Sequence, residues 1–188
     1  MRKEKKSVKI KLIALSAMFS ALGTVILFLG GMLGDLDMTV CALASLIVLV
    51  AIIEMGVASG IMVYAVTSAL ALILFPMYFI TPLYVLFIGF YPLLKYFAEK
   101  QRTPVAWLIK LTVLNLMTAV LLLLAYYVYG INIYDVGIGD INFGKWAILV
   151  LYVLVNITVA VFDYCITNLT KIYNFKLRKI FKIYKFLK

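Results

Sequence analysis

The sequence predicts an all-α polytopic membrane protein, and three observations carry that prediction. With 66% hydrophobic and only 14% charged residues, and a mean hydropathy of +1.11, a chain of 188 residues has more apolar surface than a soluble domain can hide. The apolar residues come in runs long enough for the roughly 20-residue spans that a bilayer requires. The net charge of +10 gathers at the ends of those runs. There lysine and arginine meet lipid headgroups, so the expected polyanionic surface is membrane lipid and no nucleic-acid partner is expected.

The first nine residues, MRKEKKSVK, read as a basic cytoplasmic arm. From Ile10 to Gly30 runs the first span, which is too long, and has the wrong flanks, for a cleaved signal peptide. At about 100° per residue its two halves differ. Ala14, Ser16, Ala17, Ser20, Ala21, Gly23 and Thr24 share one half, whereas Leu15, Met18, Phe19, Leu22, Val25, Ile26 and Leu29 fill the other. Apolar surface gives helices no drive to meet in lipid, so a small-residue stripe matters because it admits another backbone. That backbone belongs either to a partner chain or to this protein's own helices.

Thr39 to Phe75 is almost unbroken apolar sequence, and one helix of that length would be about 55 Å, against a hydrocarbon core of about 30 Å. It must fold back, and the break is at Glu54-Met55-Gly56, which gives a short second helix over 39–54 and a third over 57–75. Pro76 ends the third, and Thr81-Pro82 opens a fourth that reaches Tyr96, with a kink expected near Gly89. A charged connector, Lys95 to Arg102, precedes a fifth helix over 104–129. A polar stretch, Gly130 to Lys145, precedes a sixth helix over 146–170. Residues 10–170 thus form a six-helix transmembrane domain. The tail, 171–188, alternates lysine with aromatic and aliphatic residues and reads as a basic amphipathic helix on anionic lipid. Because the basic residues other than Lys145 fall on one side, the positive-inside rule places both termini in the cytoplasm.

Several chemistries are excluded by composition. There is no histidine, so imidazole metal sites and Ser-His triads are absent. Cys41 and Cys165 sit in apolar spans and read as small hydrophobes. No phosphate loop or paired-carboxylate motif is found, so neither an enzyme nor a cofactor is expected.

Three sets of residues remain as candidates. Glu54, Lys110 and Asp163 are ionisable and lie within or at the ends of spans, where pairing spares each a lone charge in low dielectric, with Tyr91 and Lys95 near enough to join them. Asn115, Thr118, Asn156, Thr158, Thr67 and Ser68 are dispersed at membrane depth and read as interhelical glue. The outer set is Tyr126, Tyr127, Tyr129, Asn132, Tyr134, Asp135, Asp140, Asn142 and Trp146. Its mixture of aromatic faces, amides and carboxylates suits a small planar solute, and equally an interfacial aromatic belt.

The basic amino terminus, six spans in fewer than 200 residues, the outer loop before the last helix and Ala17-x-x-x-Ala21 together resemble the substrate-binding S components of energy-coupling-factor (ECF) vitamin transporters. The resemblance implies that Ala17 and Ala21, with Ala14 nearby, contact a transmembrane coupling subunit and, through it, two ATPase subunits. It also implies that a vitamin-like solute binds near the outer face. The stretch from Glu54 to Asn115, with GFYPLLK at 89–95, also looks like small uncharacterised membrane proteins of Gram-positive bacteria, which would put the chain in a plasma membrane. Two other readings stand beside this one. One is a non-transporting scaffold similar in size and span count to the rod-shape-determining membrane protein D family. The other is a secondary transporter using Glu54, Lys110 and Asp163, which the lack of an internal repeat disfavours.

Overall fold

The computed structural model describes residues 2–33, 36–130, 137–138, 141–142 and 146–177. Its helices are α1 (Arg2–Leu33), α2 (Asp37–Met55), α3 (Val57–Leu74), α4 (Ile80–Leu83), α5 (Tyr91–Ala98), α6 (Thr103–Tyr127) and α7 (Ala147–Ile172). Two π-helical turns, Tyr84–Ile88 and Tyr173–Leu177, follow α4 and α7. Among the described residues the fold is all-α apart from one minimal antiparallel pairing, in which Gly137 opposes Asn142 and Ile138 opposes Ile141. Among the described residues six helical stretches are long and apolar enough to cross a membrane: Val8–Leu33, Asp37–Met55, Val57–Leu74, Ile80–Ala98, Thr103–Tyr127 and Ile148–Phe175. The protein is therefore a multi-pass membrane protein.

The boundaries differ from the sequence expectation in instructive places. The basic arm is helical from Arg2 and continuous with α1, because lysine, arginine and glutamate are good helix formers and extending a formed helix needs no new nucleus. Helix α2 starts at Asp37 and has 19 residues, enough for a full span. The turn to α3 is a single residue, Gly56, at φ +90°, a left-handed conformation that glycine adopts without a Cβ penalty. The fourth span is not one kinked helix. It runs α4, π turn, α5, and the π turn ends at Gly89, where a Cβ would lie 2.7 Å from the Tyr84 carbonyl oxygen.

The described chain divides into two compact units, residues up to Leu94 together with those from Leu169 onward, and Lys95–Asn168. In the first, α1, α2 and α3 pack against one another, and the core gathers Val48, Ala51, Ile52, Val63 and Leu93. These helices approach closely where side chains are small. A Cβ on Gly60 would collide with Cγ1 of Ile52, one on Gly30 would lie 2.7 Å from Cβ of Val40, and one on Gly23 would meet Thr67 at 3.3 Å. Between α1 and α3, Thr67 Oγ1 donates to the Ser20 carbonyl at 3.4 Å, and Ser20 Oγ, which donates to the Ser16 carbonyl of its own helix at 2.8 Å, lies 3.4 Å from the Val63 carbonyl. In the second unit α6 buries Ala106, Lys110, Leu114, Thr118 and Ala125 along one stripe, and α7 buries Val159, Asp163 and Ile166.

Candidate functional site

Sequence reasoning proposed three places for function, and the structure puts them in different surroundings. The small-residue half of α1 is divided. Ser16, Ser20, Gly23 and Thr24 are buried, and with Ser20 and Gly23 meeting α3 this flank is the protein's own packing surface. Ala14, Ala17 and Ala21 stay exposed, beside exposed Met18, Leu22 and Val25. Leu22 also lines a shallow apolar groove with Phe19 of α1 and Leu46, Ile47 and Val50 of α2.

Of the outer set, Tyr126, Tyr127, Tyr129 and Trp146 are described with their side chains. Tyr126 and Tyr127 are exposed at the end of α6, their rings edge to face at 5.1 Å. Tyr129 is half-buried, and Trp146 is exposed just before α7. Asn132, Tyr134, Asp135 and Asp140 lie outside the described residues, and of Asn142 only the backbone is described, paired with Gly137.

The charged residues form the best-defined polar site, and it lies wholly in the second unit. Lys95 near the end of α5, Glu99 just after it, Lys110 two turns into α6 and Asp163 on α7 make a closed four-charge ring. Lys95 Nζ lies 2.8 Å from Glu99 Oε1 and 2.5 Å from Asp163 Oδ1. Lys110 Nζ lies 3.0 Å and 2.9 Å from the same two oxygens. The side chains of Lys95, Lys110 and Asp163 are 7%, 3% and 11% exposed, whereas Glu99 is 48% exposed and forms the open side. Two ammonium groups and two carboxylates sum to zero, so the ring meets the main requirement for burying ions, that none stands alone. Thr167 Oγ1 accepts a further bond from Lys95 at 2.8 Å and itself donates to the Asp163 carbonyl at 2.7 Å. Around Glu99, partial burial pushes its carboxyl upward, but hydrogen bonds and charge from Lys95 and Lys110 outweigh that and hold it below the usual carboxylate range.

Glu54, which the sequence grouped with Lys110 and Asp163, is buried near the end of α2 in the first unit. Its place in the ring is taken by Glu99. In the sequence Glu99 falls within the charged connector from Lys95 to Arg102 and carries no assigned role. Its i, i+4 spacing from Lys95 was the available signal, and it stayed ambiguous because such pairs are common on exposed helix ends.

A concavity of about 230 Å³ opens beside the ring, lined by Glu99, Gln101, Thr103, Trp107, Lys110 and Asp163 among others. The Trp107 ring lies 5.3 Å from Lys110 Nζ, a cation–π distance. Further along the same helices, Asn115 and Asn156 exchange amide hydrogen bonds at 3.3 and 3.1 Å, tying α6 to α7. Cys41 and Cys165 are free thiols, the first buried and the second exposed. Among the described residues no group of His, Cys, Asp or Glu is arranged to hold a metal ion.

Comparison of the chain with family models, with curated proteins and with solved structures found no match.

Proposed function

We propose that the protein is the solute-binding membrane subunit of an ECF-type transporter. It captures a small, vitamin-like metabolite at the outer face and docks through α1 on a coupling subunit that links it to two ATPases. One observation supports this reading most: Ala14, Ala17 and Ala21 stay exposed while the Ser, Gly and Thr flank of the same helix is consumed by internal packing. An exposed row of methyl groups gains little from lipid, but it lets a foreign helix approach to backbone distance. On this reading both termini are cytoplasmic, as the distribution of lysine and arginine demands.

Uptake and ligand retention test the proposal together. Native mass spectrometry of gently purified protein is expected to show a bound small molecule and a stable coupling subunit. Ala17→Trp and Ala21→Trp are expected to abolish uptake in a dependent cell while leaving the ligand bound. Transport that survives both substitutions overturns the docking role. Absence of ligand together with co-purifying envelope-synthesis proteins identifies the chain as a membrane scaffold instead.

A further inference from the structure

We infer that the concavity beside the four-charge ring binds the headgroup of an amine-bearing phospholipid. The inference begins with donor counting. An ammonium has three N–H donors. Lys95 spends its three on Glu99, Asp163 and Thr167. Among the described residues Lys110 has two oxygen acceptors, Glu99 Oε1 and Asp163 Oδ1, and beyond them the Trp107 ring, which supplies only a π face. A side chain 3% exposed therefore keeps a donor in excess, and it is Lys110, not Lys95, that lines the concavity. The space of about 230 Å³ is several times the ~30 Å³ share of one liquid water, so a single water does not fill it.

The lining selects the ligand's charge. The concavity is lined by two carboxylates, Glu99 and Asp163, and by the Lys110 ammonium, so a bare anion would meet the carboxylates and a bare cation the buried lysine. A zwitterion satisfies both. Its phosphate oxygen accepts from Lys110, with Gln101 and Thr103 at the rim and the amino terminus of α6 left without a side-chain cap. Its ammonium donates to Glu99 on the open side, where both lysines bond to Oε1 and Oε2 remains as an acceptor. A trimethylated amine has no N–H for that carboxylate, and the aromatic face it would seek is already occupied by Lys110.

Depth selects the source. The fifth span begins at Thr103, and Lys110 lies seven residues further, about 10 Å along the axis. The concavity thus sits at a span's end, where headgroups meet the hydrocarbon boundary. A lipid is held there by its chains as well as its headgroup, whereas a soluble zwitterion has only the polar contacts.

The test uses the full chain in detergent, presented with equimolar dioleoyl phosphatidylethanolamine, phosphatidylcholine and phosphatidylglycerol, with native mass spectrometry as readout. The ethanolamine lipid is expected to be retained several-fold over the other two. Glu99→Gln, on the exposed side of the ring, is expected to leave the protein folded and to bring the ethanolamine-to-choline ratio close to one. Lys110→Met is expected to reduce retention of the ethanolamine lipid, and Thr103→Val, which leaves the ring intact, reports on the rim if that variant fails to fold. Equal retention of the three lipids by the native chain, or an unchanged preference in Glu99→Gln, overturns the site. Displacement of the lipid by soluble phosphoethanolamine at comparable concentration overturns the lipid as its source.

Discussion

Among α1, α2 and α3, helices meet where side chains are missing; among α5, α6 and α7, they meet through charges and amides. Gly23, Gly30 and Gly60 let neighbouring backbones close in, and Ser20 and Thr67 add hydroxyl bonds to carbonyls. In the second unit Lys95, Glu99, Lys110 and Asp163 share two carboxylate oxygens, and Asn115 and Asn156 exchange amides. The two strategies fail differently. Close packing loses energy in proportion to a local misfit, whereas the ion ring depends on each of its buried members, because removing one strands its partners in a low dielectric.

Loss of a ring lysine sharpens that contrast most. Lys110→Met leaves two carboxylates with one buried lysine, and a loss of about 3–5 kcal/mol is expected from thermal unfolding in detergent. Pairing it with Asp163→Leu leaves Lys95 with Glu99 in balance and is expected to restore most of the loss. If the double variant is no more stable than the single one, the ring is not acting through charge balance. Lowering pH probes the same ring more gently through Glu99, whose folded-state pKa is depressed. Its contribution is fully present above the unfolded value of about 4.3 and disappears as pH falls through the folded value. Stability from this group is therefore expected to be flat from pH 6 to 8 and to fall only in acid, and Glu99→Gln should remove that acid limb.

A smaller effect is expected in the first unit. Gly60→Ala places a methyl on Ile52 and should cost about 1–3 kcal/mol, and the same substitution made in an Ile52→Ala background should cost much less, because the side chain it strikes is gone. The Asn115–Asn156 pair should show a coupling of only about 0.6 kcal/mol in a double-mutant cycle, the usual worth of an interhelical hydrogen bond within a membrane.

The spans and the turn at Gly56 were legible because hydropathy and span length leave few alternatives for a run such as 39–75. Asn115 and Asn156 were legible as glue, but not as a pair, since register between two helices depends on packing that no local pattern states. Glu99 was missed because a carboxylate in a connector of lysine, glutamate and arginine reads as solvated; only the tertiary placement of Lys110 and Asp163 makes it part of a ring. The stripe on α1 was legible as a stripe but not as two flanks. Its period of 3.6 residues assigns a half-turn of surface, and the boundary between Ser20 and Ala21 is narrower than that.

That boundary gives the comparison with the most direct bearing on function. Ser20 and Ala21 are adjacent in sequence, yet Ser20 is 1% exposed and bonded to α3, whereas Ala21 is exposed. Ser20→Trp must displace Val63 and Thr67, and overpacking of that kind costs about 1–3 kcal/mol or more. Ala21→Trp displaces only lipid or detergent, so its effect on unfolding should stay within about 0.5 kcal/mol. If both substitutions destabilise the isolated protein alike, α1 has no face to spare for a partner. If Ala21→Trp is silent in the isolated chain and costly only in the cell, the exposed row is held for another helix, because a stability effect and a docking effect have then been separated by a single residue.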